Sequence, residues 1–394
     1  MRFLEFEGEW VECKLLDIAQ KITIKNKDRR VENVISNSAQ RGLIPQLDFF
    51  DKEIANNDNT SGYYIIENGD YVYNPRKSVT APYGPVNIYK GDHLGIVSPL
   101  YLCFKVKNIN KDFLFHFFKS SSWHKFIYLN GDNGARHDRV SIKDETFFKL
   151  PVCYPKTEEQ NKIVEFLSLI DQRIETQNKI IEQLESLIRG LNNHLHEQYA
   201  NDIEISLAEL GEFYNGLSGK SGDDFGSGKP YITYVNVYQN NIIDESMIGY
   251  VKISNEEKQN TINYGDVLFT ISSETPKEVG ISSIYLGRSQ GLYLNSFCFG
   301  YRLNDFTILS PQYMAYCFSS YQFRKLVYPL AQGSTRFNLH MSHFANQKFK
   351  IPTVQNQLKI QKLLDSTSEK LQVEKLIHVS LKEQKSFFLK KLFI

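Results

Sequence analysis

No aspartate or glutamate occurs between Phe306 and Leu364, a stretch that holds Arg324, Lys325, Arg336, Lys348, Lys350, Lys359 and Lys362. From Tyr71 to Lys111 the only acid is Asp92, set against Arg76, Lys77, Lys90, Lys105, Lys107 and Lys111. The 394 residues carry a net charge of only +1, so the sum conceals two basic tracts. Surface of this kind suits a polyanion such as nucleic acid. Cysteine is scarce: the five (Cys13, Cys103, Cys153, Cys298, Cys317) form no CxxC pair. That argues against a disulfide framework or structural zinc and fits a reducing cytoplasm. No apolar run reaches the length of a membrane span, so no membrane partner is expected. The opening "MRFLEFEGEW" has acids where a secretory leader needs a basic stretch and an apolar core.

Chemistry of its own is equally hard to find. "GLSGKS" (Gly216–Ser221) lacks the first glycine of a phosphate loop, that position being Tyr214, and "GSGKP" fails at Asp223 and Pro230. "NPRK" from Asn74 shares only two residues with the Asn-Pro-Pro-aromatic motif of amino-methyltransferases, and no Gly-rich S-adenosylmethionine loop precedes it. His194 and His196 flank Leu195 without a third metal ligand and read as solvated helix residues. The expectation is a non-catalytic chain that binds no metal and no cofactor.

What is present is a repeat. "LPVCYPKTEEQNKIVEFL" from Leu150 and "IPTVQNQLKIQKLL" from Ile351 share a proline, a polar turn, a glutamine and the start of a long amphipathic helix. "VECKLLDI" (Val11–Ile18) lines up with "IEISLAEL" (Ile203–Leu210), and "ENGDYVYNP" (Glu67–Pro75) with "NYGDVLFTI" (Asn263–Ile271). The aromatic helix "DFLFHFFKSSSWHKFIY" (Asp112–Tyr128), with Asp112 as its cap, matches "PQYMAYCFSSYQFRKLVY" (Pro311–Tyr328), which starts at Ser310-Pro311. Two copies about 200 residues apart are too few and too long for a solenoid. The reading is a mixed α/β (α+β) fold with four parts: a globular domain over 1–155, a long helix over 156–200, a second domain over 201–352 and a second long helix over 353–394.

Thr157 and Gln160 read as a capping box that opens the first long helix. Its heptads place Leu167, Ile174, Ile181, Ile188 and Leu195 at one position, with Ile163, Ile170, Gln177, Leu184 and Leu191 at the companion. The second helix offers Ile360, Leu364, Leu371, Leu381, Phe388 and Leu392. Thr367, Glu374, His378 and Lys385 interrupt that seam, and Val373 with Ile377 suggest that the stripe shifts midway. Such stripes need partners, and an antiparallel intramolecular coiled coil with pseudo-two-fold symmetry satisfies both. At about 1.5 Å per residue the pair would span about 60 Å and act as a ruler.

Three kinds of loop could read DNA. "GSTRFN" offers Ser334, Thr335, Arg336 and Asn338, followed by His340, and its counterpart "GARHDR" offers Arg136, His137 and Arg139. Arginine bonds bidentately to guanine and asparagine to adenine, whereas hydroxyls more naturally hold phosphate. The loop after each Gly-Asp strand supplies Arg76, Lys77, Ser78 and Tyr83 in one copy and Ser272, Ser273, Thr275 and Lys277 in the other. Lys220, in a Gly/Ser loop, and Asn236, on a half-exposed strand, are weaker candidates. The loops differ although their frames agree, so the two domains should read different sequences.

Carried by the paired junctions, the paired Gly-Asp strands and "GSTRFNLHMSHFANQKFKIP" (Gly333–Pro352), the chain resembles the specificity subunit of type I restriction-modification enzymes over nearly its whole length. The first copy departs from that loop pattern at Ala135, before Arg136. The resemblance implies two target-recognition domains, each reading half of a split target in double-stranded DNA. It also implies spacer helices that bind two methylation subunits, restriction subunits that can join, and S-adenosylmethionine, ATP and Mg on those partners. Two other classes remain open: a self-contained DNA methyltransferase with degraded motifs, and a coiled-coil scaffold with no DNA role.

Overall fold

The structure is a computed structural model that describes residues 2–46, 57–131, 138–199 and 202–393. It divides into two compact units, Met1–Asn178 with Leu376–Ile394, and Lys179–Lys375. Both units are built the same way. In the first, Val11–Lys14 pairs antiparallel with Pro151–Tyr154, so that entry and exit of the domain are tied together. A helical turn, Leu15–Ile18, leads into an antiparallel sheet whose order is Ala19–Lys21, Leu102–Val106, Tyr71–Tyr73, Val86–Ile88. In the second, Ile203–Ser206 pairs with Lys348–Ile351 and the turn Leu207–Leu210 follows. Its sheet runs Gly211–Asn215, Cys298–Leu303, Val267–Thr270, Ser282–Ile284. The repeat seen in the sequence is thus a repeat of topology.

Local chemistry explains the shared frame. Gly69 and Gly265 sit at φ +90° and +86°, in the left-handed region that a side chain disfavours, and turn the chain into the central strand. The aspartates that follow are buried and close these turns: Asp70 accepts from the Glu67 N–H and Asp266 from the Asn263 N–H, both at 2.8 Å. The strands bury aromatic rings, and helices lie against the edge strand of each sheet. Each aromatic helix is in fact two, Lys111–Lys119 with His124–Asn130 and Pro311–Cys317 with Tyr321–Val327. Ser120 and Ser320 make the break, each donating its hydroxyl to a carbonyl of the preceding turn at 2.7 Å. Ser310 caps as expected, whereas in the first copy the cap is Asn110, not Asp112.

The long helices run over Thr157–Tyr199 and Val354–Leu392. Within the first unit, Ile163 and Leu167 share a core with Leu389, Leu392 and Phe393. There Phe166 meets Phe388 edge-on at 4.8 Å, and Asp171 pairs with Lys385. Within the second unit, Leu195 shares a core with Ile360 and Leu364, and Glu185 pairs with Lys375 at 2.8 Å. In both units the numbers ascend on one helix as they descend on the other, which is antiparallel pairing. Leu184, Leu371 and Leu381 are buried, and Ile170, Ile174, Ile181, Ile188, Leu191 and Phe388 half-buried.

Three expectations are corrected here. Val373 and Ile377 are 54% and 38% exposed, while Thr367, Glu374, His378 and Lys385 stay half-buried, so the stripe does not shift. The seam keeps its heptad and takes polar residues, one of them satisfied by Asp171. His196 is buried rather than solvated: its Nε2 meets the Tyr313 hydroxyl and its Nδ1 the Asn192 carbonyl, both at 2.9 Å. Gln160 does not form a capping box.

Gln160 instead explains why the junction is written twice. It is 3% exposed; its Nε2 donates to the Pro155 carbonyl at 2.8 Å and its Oε1 accepts from the Asn110 N–H at 2.9 Å. Gln357, fully buried, donates to the Pro352 and Ile308 carbonyls at 3.0 and 2.6 Å and accepts from the Ser310 N–H at 3.0 Å. One side chain thus bonds both the strand end and the cap of the domain's aromatic helix. Stranding buried backbone groups costs about 1–3 kcal/mol. Gln160→Ala and Gln357→Ala are each expected to lower stability by about that much in urea unfolding. Asn161→Ala, which loses only an exposed bond to Asn110, should stay within about 0.5 kcal/mol. Equal effects of the three would refute the clip.

Candidate nucleic-acid interface

In each unit, loops far apart in sequence meet beside the central strand. In the first unit the chain leaves Tyr71–Tyr73 through Asn74 and Pro75. The Pro75 carbonyl accepts from the Val140 N–H at 2.9 Å, and the Lys77 N–H donates to the Asp138 carbonyl at 2.8 Å. Arg76 therefore lies directly opposite Arg139 on a short antiparallel ladder. The two, with Lys77 and Ser78, line a cavity of about 440 Å³ whose far wall includes Ser36, Gln40 and Tyr101. Among the described residues only Asp138 comes within ion-pair distance of Arg139, at 3.9 Å, and the Arg139 Nε is buried without a hydrogen-bond partner. Burial pushes the Tyr101 phenol up, and the two guanidinium groups pull it the other way. The site is strongly cationic.

The wall is held by amides. Asn37 donates to the Val72 carbonyl at 2.8 Å, and Asn74 to the Asn37 carbonyl at 3.2 Å. Asn87 donates to Asn37 Oδ1 at 2.6 Å and accepts from Lys119 Nζ at 2.6 Å. Burial brings that ammonium down to about 8. The hairpin Ile35–Ser38 with Gly42–Pro45 is thereby fixed to the sheet.

The second unit repeats the ladder. Leu339 N–H donates to the Ile271 carbonyl at 2.8 Å, and Ser272–Ser273 pairs with Phe337–Asn338, Ser272 opposite Asn338. Arg336 donates from Nε to Ser272 Oγ at 3.2 Å and lays its guanidinium over Phe297 at 5.4 Å. Tyr234 and Tyr238 stack nearly parallel at 6.0 Å, and Tyr234 donates to the Ser272 carbonyl at 2.9 Å. Arg336, Ser272, Tyr234 and Tyr238, with Ser273 and Thr335, line a cavity of about 680 Å³. Two acids line it: Glu274 is exposed, and Glu278 is engaged by Tyr238 and Ser273, each donating at 2.9 Å. Hydrogen bonds from Thr275, Ser273 and Tyr238 hold the Glu278 carboxyl below the usual range. Ser334 is exposed beside this cavity, and His340 is exposed with its ring 5.9 Å from that of His343. Thr275 and Lys277 are exposed on the turn beyond Ser273.

Other candidates have duties inside the fold. Asn236 lies in a helix, Tyr234–Gln239, and not on a strand. It is fully buried, donating to the Asp244 and Met247 carbonyls at 2.8 and 3.2 Å and accepting from the Asp244 N–H at 3.1 Å. Lys220 is 5% exposed and paired with Glu257, which it draws down to about 2. Tyr83 packs its ring on His124, at 4.9 Å, while its carbonyl takes the Tyr73 hydroxyl. Arg324, one of the cations of the acid-free tract, is buried and donates to the carbonyls of Lys277, Val279 and Gly280. Arg136 and His137 lie outside the described residues. The ladders set Arg139 level with Asn338. Sequence reasoning missed Gln40, Tyr101, Tyr234 and Phe297, whose only signal was aromatic or amide character among many similar residues.

Known proteins match this architecture. The family of type I restriction modification DNA specificity domains matches residues 7–186 and again 203–383, and the chain belongs to that family. Among solved structures, a chain of a type I R-M system, determined for its complex assembly and conformational transition, aligns over 98% of this chain and 97% of its own. Its TM-score is 0.62 at 15% identity. The S subunit of the type I restriction-modification system of M. genitalium covers 100% of this chain and 98% of its own, with a TM-score of 0.51 at 16% identity. No curated protein matches the chain. The chain is therefore a DNA-recognition specificity subunit built from two tandem domains. Among the described residues no helix is long and apolar enough to cross a membrane.

Fold and interface separate under substitution. Asn236→Ala removes a fully buried carboxamide with its bonds to the Asp244 and Met247 carbonyls and the Asp244 N–H, and should destabilise the chain by about 1–3 kcal/mol. Arg336→Ala, at an exposed position, should stay within about 0.5 kcal/mol in the same thermal unfolding assay. A large loss from Arg336→Ala would make that arginine structural.

Proposed function

We propose that each unit reads one half of a split, asymmetric target in double-stranded DNA through its ladder cleft, and that the paired long helices set the gap between the halves. The observation that carries this reading is the same two-strand ladder standing at the same place in both frames, lined by different side chains. Shared backbone geometry gives equivalent docking, and different linings give different bases, because base edges are read by side-chain donors and acceptors. Arg76, Lys77, Arg139, Arg336 and Asn338 are the base or phosphate contacts in this scheme. Ser78, Ser272, Ser273, Thr275, Lys277, Ser334, Thr335 and His340 surround them. The boundaries 1–155, 156–200, 201–352 and 353–394 then mark recognition domains and spacers.

The chain performs no chemistry in this reading. Two methylation subunits bind along the helices and carry S-adenosylmethionine, and restriction subunits with ATP and Mg join them in the cytoplasm. Exposed apolar side chains on the second helix, among them Leu363 and Val373, supply surface for such partners.

Methylome sequencing of host cells with and without the chain tests the proposal. A two-part adenine-methylated motif with unlike halves should disappear when the chain is removed. An unchanged set of motifs would refute it.

A further inference from the structure

The ladders place two residues of each unit side by side on one face, and the chemistry of that pair differs completely between the units. Residues directly opposite on an antiparallel ladder hold their Cβ atoms about 5 Å apart, and like charges there repel. Arg76 and Arg139 are such a pair. No carboxylate among the described residues lies within ion-pair distance of Arg76, and Arg139 has a long ion pair to Asp138, at 3.9 Å. An arginine pair with a single long ion pair for counter-charge weakens the fold, and it sits in a cavity beside a tyrosine whose phenol feels both charges. At the same ladder position the second unit holds Ser272 and Asn338, which are neutral. Ser272 is buried and accepts from Arg336, while the exposed Asn338 amide makes no hydrogen bond among the described residues.

Resting on the reading of the clefts as half-site readers, we infer that this cross-strand pair selects the base type. Arg76 and Arg139 take guanine in the half-site of the first unit, and Asn338 takes adenine at the corresponding place in the other. A guanidinium presents two parallel N–H donors to guanine O6 and N7, whereas a carboxamide gives one donor and one acceptor, matching adenine N7 and N6. Two guanidiniums on one face require acceptor-rich edges and disfavour the amino groups of adenine and cytosine. The repulsion between them is relieved when guanine edges occupy the cleft.

The experiment gives the first unit the pair of the second. The full chain, purified from its host with any subunits that accompany it, selects duplexes from a randomised library, as does the double variant Arg76→Ser with Arg139→Asn. Guanine preference at one or two adjacent positions of one half-site is expected to fall roughly ten- to a hundredfold. The other half-site and the gap should remain, which shows that the variant is folded and bound. Undiminished guanine preference would overturn the assignment. So would a uniform loss across all sequences with a shallower salt dependence, the mark of a phosphate contact. Failure of the unaltered chain to select any sequence would overturn the half-site reading beneath it.

Discussion

A buried glutamine at the start of each long helix is the contact on which the architecture turns. Gln160 and Gln357 each bond a proline carbonyl at the end of the closing strand and the N–H of the residue that caps the domain's aromatic helix. Neither bond can slide without stranding a buried backbone group, so the helix leaves each domain at a defined angle. Asn192 reinforces this in the second unit by donating to the Tyr316 carbonyl at 3.0 Å, and Phe393 does so in the first by packing on Phe113. Helix and domain therefore move as one piece at each junction.

The same economy separates frame from lining. Buried rings and Gly-Asp turns repeat closely between the units, while the layers that wall the clefts do not. The first unit uses the hairpin Ile35–Ser38 with Gly42–Pro45, tied down by Asn37 and Asn87. The second uses a sheet of Ile248–Val251, Phe225–Ile232 and Tyr293–Leu294, together with the stacked Tyr234 and Tyr238. The cleft lining can change in such a design without disturbing the packing that holds the helix.

Features governed by neighbours in sequence were legible there. The Gly-Asp turns, the Ser310 cap and the heptad of the first long helix all follow from residues within a turn or two. The convergence of loops was not legible, because Arg76 meets Arg139 and Ser272 meets Asn338 through ladders between distant segments. Asn236 was misread because "YVNVYQ" alternates like a strand, yet the Thr233 side chain accepts from the Asn236 N–H and starts a helix. Lys220 looked free because its partner, Glu257, is remote in sequence. Gln160 looked like a capping residue because the Asn110 N–H that claims it, 50 residues away, cannot be seen locally.

In the proposed reading the paired helices set the gap between the two half-sites, so their length is the quantity to change. One heptad added to both long helices at matching seam positions keeps the apolar register and lengthens the pair by about 10 Å. Mapping the recognised motif of that variant is the most direct test. Both half-sites should persist with a longer gap, by at most about three base pairs. An unaltered gap between intact half-sites would contradict the account.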